Sequence, residues 1–157
     1  MSVNTTVEIP RHGTRGVSFP RMPGVLMRFM NRMTFRIFRN RGFRGAPGVL
    51  SLTTTGARSG QPRNSTLAYF DDGSKSWLIV ASGGGTASNP AWLHNLAKHP
   101  DQAWAEIGSQ KVRVTPETLQ GDERAQAWKR ITTQAPAFKS YETSTDREIA
   151  VIRLRAV

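Results

Sequence analysis

The chain has 157 residues, no cysteine and a formal net charge of +11. This length suits one domain that buries about two-thirds of its unfolded surface and needs no cross-links. The lack of cysteine excludes disulfides, thiolate nucleophiles and metal sites built on thiolates, and it fits a reducing cytoplasm. Apolar runs are far shorter than the roughly twenty residues of a membrane span, and no secretory signal is recognised.

The positive charge is concentrated in the first part of the chain. Residues 1–44 carry nine arginines and a single acidic residue, Glu8, so this segment has a net charge of +8 and the remainder only +3. Clustered cations bind nucleic-acid backbones, anionic membranes or anionic cofactors. Nucleic acid is not expected as a partner, because aromatic side chains for base stacking are not interleaved with these arginines.

The first 41 residues divide into an arm and a helix. Residues 1–22 predict a flexible basic arm, and 23–157 a single domain that begins with an amphipathic helix over 23–41. At about 100° per residue, one arc of about 80° collects four arginines, and apolar residues lie opposite. The arginines are Arg28, Arg32, Arg36 and Arg39, and the apolar residues are Leu26, Met30, Met33 and Ile37. Two interpretations remain open: this apolar face packs on the domain, or it docks on an anionic membrane.

After Gly45 the pattern changes to short β-rich runs separated by glycine. These predict strands over 49–55, 65–70, 76–82, 103–107, 111–115 and 148–156, with hairpin turns at 71–73 and 108–110. A helix is predicted to run to Lys98, with Asn89 as its cap and Pro90 in its first turn, and another over 122–133. About six strands with three helices interspersed predict a mainly β, compact antiparallel barrel.

Familiar catalytic and phosphate-binding motifs are missing from the sequence. There is no Walker loop, no complete GxGxxG and no GxSxG around any serine. His94 and His99 are rotated by about 140° on a helix and do not share a ligand sphere, so we expect no metal.

Two glycine-containing stretches are more informative. In TTTGARSGQPR, residues 53–63, Arg58 and Arg63 flank a tight turn whose N–H groups and guanidinium groups suit phosphate or carboxylate oxygens. A solvated hairpin tip is the equally weighted alternative. In SGGG, residues 82–85, the glycines let a planar ligand approach the backbone, with Trp92 as a brace. A flexible loop before the helix is the alternative here.

Together, LTTTGARSGQPR, VASGGG, NPAWLHNLAKHP and AFKSYETSTDR resemble the deazaflavin-dependent nitroreductase family, from about residue 25 to the C-terminus. The resemblance implies an α+β, FMN-binding split-barrel-like fold, a split β-barrel of about six antiparallel strands with flanking helices. It also implies an oxidoreductase that transfers hydride from reduced coenzyme F420, an 8-hydroxy-5-deazaflavin, to a quinone, enone or nitro acceptor.

The same resemblance implies the site residues. The cofactor's phosphate and acidic tail would be held by Arg58, Ser59 and Arg63. The ring would meet Ala81, Ser82 and Gly83, and the cofactor wall would be lined by Ala91, Trp92 and Asn95. The substrate side corresponds to Ala135, Phe138 and Tyr141, of which Tyr141 alone has a hydroxyl to polarise or protonate an acceptor.

Two other functions are kept as alternatives. The barrel would use FMN instead of F420, or the protein would be a non-enzymatic binder of nucleic acid or anionic lipid through its basic N-terminal part. We expect a cytoplasmic protein that associates peripherally with the inner face of the membrane through residues 23–41. The oligomeric state is open, since split barrels often pair.

Overall fold

The computed structural model describes residues 6–157 and contains a closed antiparallel barrel of six strands. The strands are β1 (Gly48–Thr55), β2 (Pro62–Asp71), β3 (Ser76–Val80), β4 (Ala103–Ile107), β5 (Gln110–Thr118) and β6 (Val151–Ala156). Their order around the barrel is β1-β2-β3-β6-β5-β4, and pairing of β1 with β4 closes it. The predicted antiparallel barrel is confirmed.

Four helices flank the barrel in the described part of the chain. They are α1 (Gly24–Phe38), α2 (Ala91–Lys98), α3 (Gly121–Gln134) and α4 (Ala137–Ser144). None of the helices within residues 6–157 is both long and apolar enough to cross a bilayer.

Strand alternation separates two hydrophobic clusters. Ile79 and Ile152 pack with the apolar residues of α2. Leu78 and Val151 each precede one of these residues by one position, and they pack with residues of α3 and α4. Successive side chains of a strand point to opposite faces, so β3 and β6 supply both clusters at once. Burial of each large aliphatic side chain contributes about 1.5–3 kcal/mol. The barrel therefore has one core inside and a second core beneath α3 and α4.

Several predicted boundaries are corrected. β2 begins at Pro62, three residues before the predicted start, so Arg63 lies in the strand and pairs in register with Thr54. β3 ends at Val80 and β6 begins only at Val151. One further backbone bond joins the two segments, from the Ala81 N–H to the Ala150 carbonyl at 2.9 Å, and side chains bind the backbone beyond it. α1 ends at Phe38, three residues before the predicted end.

One helix is absent from the predictions, and one predicted helix cap is wrong. α4 was not predicted, because its eight residues lack a clear apolar period and it is held by packing of Phe138 in the second core. Asn89 does not cap α2, since Pro90 occupies the cap position. The Asn89 amide instead donates to the Pro10 carbonyl at 2.7 Å and accepts from Arg147 at 3.0 Å.

The described part of the arm contains neither helix nor strand, and it lies against the body of the protein. The Gly13 N–H donates to the Ala87 carbonyl at 2.8 Å, and the Val17 N–H donates to the Gly85 carbonyl at 2.9 Å. Residues 1–5 of the predicted arm lie outside the described residues. The division into an arm over 1–22 and a domain over 23–157 stays a prediction.

α1 lies against β1 and β2 through a face that the periodicity did not single out. Phe35 is buried, and Asn31 bonds to the β2 backbone and side chains, donating to the Asn64 carbonyl and accepting from the Thr66 hydroxyl. The apolar stripe is exposed instead: Phe29 retains 59% of its accessible surface. Its other members are Val25, Leu26, Met30, Met33 and Ile37. Packing of this stripe on the barrel, one of the two interpretations, is therefore wrong.

An ion-pair network joins the β2–β3 hairpin to β6 and α3. The Asp72 carboxylate accepts from Arg153 and, at 2.9 Å, from Arg130, and Arg153 also binds Glu123. Burial raises the pKa of Asp72, but the bonds from Arg153 and Arg130 outweigh burial and leave it below its usual value. The half-buried position makes this pair stronger than an exposed ion pair.

We predict that Asp72→Asn lowers the free energy of unfolding at neutral pH by about 1–3 kcal/mol, because Arg153 and Arg130 lose the carboxylate that they share in a partly buried site. The folded-state pKa of Asp72 is lowered, so its contribution is present above the unfolded pKa of about 4 and is lost as pH falls through the folded value. Urea unfolding of parent and variant at several pH values measures the difference. Asp71→Asn, a neighbouring exposed carboxylate, is the control, and an equal loss in both variants would contradict the prediction.

Candidate functional site

The turn between β1 and β2 is a compact structure that presents guanidinium groups. The Gly56 N–H donates to the Gln61 carbonyl at 2.8 Å, and the Ser59 hydroxyl accepts from the Gln61 N–H at 3.2 Å and from Arg63 at 3.4 Å. A Cβ at Gly56 would meet the Ser59 hydroxyl at 2.5 Å. Arg58 is exposed and, within residues 6–157, makes no hydrogen bond or ion pair. The structure thus brings the three predicted tail-binding residues together.

Asn95 connects this turn to α2. Its side-chain oxygen accepts from the Ala57 N–H at 2.9 Å, and its side-chain nitrogen donates to the Thr54 hydroxyl at 3.0 Å. Asn95 is buried, so both polar ends of the amide are used within the protein. A buried amide with satisfied partners fixes the geometry of the groups it binds. The observed contacts of Asn95 hold the turn in place.

A cationic groove lies between α1 and the β1–β2 hairpin, with a cavity volume of about 1120 Å³. Five arginines line it: Arg28, Arg32, Arg36, Arg39 and Arg63. None of these five forms an ion pair within the described residues, and the groove has one acidic residue in its lining, Glu106. Unneutralised cations in a concave surface raise the local potential and attract polyanions. The arginine stripe of α1 therefore extends the positive surface that begins at Arg63.

The loop that follows β3 adopts a conformation that requires glycine. Gly83, Gly84 and Gly85 have φ values of +54°, +69° and +88°. A Cβ at Gly83 would meet the Thr86 hydroxyl at 2.5 Å, and a Cβ at Gly85 would meet the Ser144 side chain at 2.9 Å. Three successive residues in the left-handed region are accessible to glycine at little steric cost. This run, residues 82–86, is called the glycine loop below.

A buried arginine supports the glycine loop from one side. The Arg147 guanidinium donates to the carbonyl oxygens of Ala81 and Ser82 at 3.0 Å each and to that of Thr86 at 3.1 Å, besides the Asn89 amide. Arg147 is 4% exposed and has no carboxylate partner within residues 6–157. Burial lowers its pKa from the usual arginine value. Sequence reasoning missed this residue, because TDRE has the composition of a solvated surface loop.

The arm covers the glycine loop from the other direction. Besides the bond from Val17 to Gly85, the Phe19 ring lies 3.0 Å from the position of a Cβ on Gly84. The Asp146 carboxylate holds the arm by accepting from the Thr14 hydroxyl, the Thr14 N–H and the Arg15 N–H. These bonds lower the pKa of Asp146 to about 2, and the bond from the Thr14 hydroxyl has the largest effect. No local sequence signal indicates this contact, which joins residues about 130 positions apart.

Tyr141 is held beside the glycine loop on α4. Its hydroxyl accepts a hydrogen bond from Arg44 at 2.7 Å, and its ring meets that of Phe138 edge to face with centroids 5.4 Å apart. The Tyr141 carbonyl lies 3.5 Å from the position of a Cβ on Gly85. Ala135 and Phe138 are buried in the second core. Of the three predicted substrate-side residues, Tyr141 is thus the one with accessible surface.

The remaining predicted site residues differ in exposure. Ser82 and Gly83 lie in the glycine loop, and Ala91 is exposed at the start of α2. Ala81 and Trp92 are buried in the barrel core, and both backbone polar groups of Ala81 are bound within the protein, its N–H to the Ala150 carbonyl and its carbonyl to Arg147. The predicted residues thus lie in the Gly56–Gly60 turn and the start of β2, in the glycine loop, on α2 and around α4. Arg44, Arg147, Phe19 and the α1 arginines are additions that the structure makes.

Comparison with known proteins agrees with this geometry. The sequence profile of the F420H2-dependent quinone reductase family matches residues 12–155. An F420H2-dependent quinone reductase of Mycobacterium tuberculosis strain H37Rv is 38% identical over 113 residues, which cover 70% of this chain and 74% of that protein.

Solved structures share the fold. The structure of the F420-H2 dependent reductase FDR-A is 31% identical, with a TM-score of 0.61, and the match covers 68% of this chain and 93% of that chain. A second structure, described as a domain-swapped dimer, is 28% identical with a TM-score of 0.62, covering 82% and 98% of the two chains. The chain is a split β-barrel protein that belongs to the F420H2-dependent quinone reductase family.

Proposed function

We propose that the protein is an oxidoreductase that transfers hydride from reduced coenzyme F420 to a quinone. The observation that carries this proposal is the family match, which extends over the barrel, the glycine loop and the Gly56–Gly60 turn. Activated alkenes and nitro compounds are further acceptors in the proposal, since they too present an electrophilic centre to a hydride. When bound, the reduced coenzyme supplies the hydride from C5, and the protein supplies binding, orientation and charge.

The residues present fit the acidic part of this coenzyme. Its phosphate and carboxylates would lie on Arg58, Ser59 and Arg63, where Ser59 and Arg63 are already positioned by each other at 3.4 Å. Beyond Arg63 the cationic groove offers four more guanidinium groups, three on α1 and that of Arg39 directly after it, and none of them forms an ion pair within residues 6–157. Guanidinium groups bind carboxylate and phosphate oxygens in pairs of parallel hydrogen bonds. The groove thus favours a ligand with a long anionic tail over one with a single phosphate.

The glycine loop fits the ring part. Within residues 6–157 the N–H groups of Ser82 and Gly83 have no hydrogen-bond partner, while the neighbouring carbonyl oxygens are bound by Arg147. Free N–H groups beside glycines suit the carbonyl oxygens and nitrogens of a flat heterocycle. FMN has such atoms too, so the loop alone does not discriminate between the two cofactors. The tail-binding surface is the feature that favours F420.

Tyr141 is the proposed proton donor on the acceptor side. Its oxygen accepts from Arg44, so the hydroxyl hydrogen remains available for donation to an acceptor. A cation at 2.7 Å also stabilises the negative charge that the phenol oxygen gains as it gives up this proton. Arg44 would thus support Tyr141 when an acceptor oxygen takes up the hydride's electrons.

α1 is proposed to dock on an anionic membrane, the source of lipophilic quinones. Its exposed apolar stripe would enter the interface, and the arginines of the opposite face, Arg28, Arg32 and Arg36, would add longer-range attraction to the anionic surface. An amphipathic helix with this arrangement binds at the surface and does not span the bilayer. Each arginine near an anionic surface adds about 1 kcal/mol of attraction. A cytoplasmic location with peripheral attachment to the inner face of the membrane belongs to the same proposal.

The reaction is tested with purified protein, reduced F420 and menadione. We predict recovery of the oxidised coenzyme's visible absorbance at a rate that depends on protein concentration. In the same assay Tyr141→Phe should lower kcat about 100-fold, the usual order for loss of a general acid, with little change in KM. A parent protein that neither binds the coenzyme nor restores the absorbance would overturn the proposed function. An unchanged kcat in Tyr141→Phe would remove only the proton-donor role.

The tail-binding arginines are tested by titration of parent and Arg58→Ala/Arg63→Ala with F420 and with FMN. We predict that the parent binds F420 more tightly than FMN, because F420 carries more anionic groups. The double variant should raise the F420 Kd by about 100-fold, about 1.4 kcal/mol for each lost charged contact. Lys111→Ala/Arg113→Ala, an exposed cation pair on β5, is the control for net charge. The assignment would be contradicted if both double variants lost F420 affinity equally, or if the parent bound F420 no more tightly than FMN.

Membrane docking is tested by flotation with vesicles that contain anionic lipid. We predict that the parent floats with these vesicles at low salt and is released at high salt, because charge attraction is screened. Phe29→Ser/Met33→Ser should abolish flotation, whereas Trp104→Ser, at an exposed position on β4, should not. If Phe29→Ser/Met33→Ser instead converts a dimer to a monomer in sedimentation and the parent does not float, the stripe is a subunit interface and the proposal fails.

A further inference from the structure

Arg147 binds the carbonyl oxygens of two successive peptide groups. One guanidinium nitrogen donates to the Ala81 carbonyl and the other to the Ser82 carbonyl, both at 3.0 Å. These carbonyls belong to the peptide groups that carry the N–H of Ser82 and the N–H of Gly83. The same two N–H groups have no partner within residues 6–157.

Peptide geometry fixes the direction of these free groups. No cis peptide occurs in the described chain, and in a planar trans peptide the C=O and N–H bonds point in opposite directions. The guanidinium lies on the carbonyl side, so both N–H bonds point away from it. Arg147 therefore lies at the carbonyl end of these two peptide dipoles, and an acceptor atom of the bound ring would lie at their N–H end.

The charge of Arg147 is not neutralised locally. Glu148, the next residue, lies 3.5 Å from Arg124, and the Asp146 carboxylate binds the arm. A buried cation that meets only carbonyl oxygens and an amide acts at greater range than one in an ion pair, because its surroundings screen it less. The cost of burying this charge is offset by at least five hydrogen bonds to oxygen atoms.

We propose that Arg147 is a positioning residue that polarises the Ser82 and Gly83 N–H groups toward the acceptor atoms of the bound ring and so stabilises negative charge on that ring. This inference rests on the proposed function, because the ring is that of the deazaflavin. The ring hydroxyl is conjugated with the ring carbonyls and nitrogens, so its ionisation places negative charge on these acceptors. The bound coenzyme should thus lose its hydroxyl proton at lower pH than the coenzyme in water.

The test is a pH titration of the visible absorbance of oxidised F420 bound to excess protein. In the parent, the pH midpoint of the bound coenzyme should lie below that of the free coenzyme. Arg147→Met should raise this midpoint by about one pH unit, equivalent to a tenfold loss of preference for the anion, and should raise the F420 Kd about tenfold. Arg147→Lys, which keeps the charge, should recover at least half of the shift. Arg113→Met, the same change at an exposed site, should leave the midpoint at the parent value.

A purely structural role for Arg147 predicts a different result. In that case Arg147→Met weakens binding but leaves the pH midpoint of the bound coenzyme unchanged, and this outcome would overturn the inference. Asn89→Asp serves if Arg147→Met does not fold, because it sets a carboxylate against the guanidinium at the existing 3.0 Å contact and cancels the charge. It should raise the midpoint in the same direction, and an unchanged midpoint would overturn the inference equally.

Failure of the inference is distinguishable from failure of the proposed function. If the parent binds F420 but the pH midpoint of the bound coenzyme is the same in the parent, Arg147→Met and Asn89→Asp, only the role of Arg147 is refuted. A parent protein that does not bind F420 at all refutes the proposed function, and with it the ligand on which Arg147 would act.

Discussion

The candidate site depends on the direction in which the barrel strands run. β1 and β3 are both antiparallel to β2, so they run parallel to each other and end at the same end of the barrel. β6 is antiparallel to β3 and therefore begins at that end. The Gly56–Gly60 turn, the glycine loop and the segment of Arg147 are consequently neighbours, although they are far apart in sequence. Asn95 then connects α2, which follows the glycine loop, to the turn after β1.

At this end of the barrel, polar side chains bind the backbone that follows the strands and hold the N-terminal arm. Arg147 binds the carbonyl oxygens just after β3, Asn89 binds the arm, and Asp146 binds it again through three donors. Within residues 6–157 the N–H groups of Ser82 and Gly83 remain without a hydrogen-bond partner, whereas those of Gly84 and Gly85 donate to Ser82. A loop fixed on its carbonyl side and open on its amide side is preorganised for a ligand that accepts hydrogen bonds.

The two surfaces proposed to bind the coenzyme differ in how their guanidinium groups are placed. At the Gly56–Gly60 turn and in the cationic groove, exposed guanidinium groups offer direct contacts whose strength falls with salt. At the glycine loop a single buried guanidinium binds the carbonyl oxygens of two peptide groups and is shielded from salt by its burial. This division suits a ligand with a flexible charged tail and a planar ring, because the tail needs attraction and the ring needs fixed geometry.

The sequence by itself determined the strands, the antiparallel barrel, the turn with Arg58 and Arg63, and the glycine loop. These features follow from local signals, namely two-residue alternation, hairpin turn residues and runs of glycine. Only the tertiary structure decided that the α1 apolar stripe is exposed, that α4 is a helix and that Asn89 binds Arg147 instead of capping α2. It also decided that Arg147 and the arm enclose the glycine loop. These outcomes depend on contacts between residues up to about 130 positions apart, and a local pattern contains no information on which distant groups the folded chain brings together.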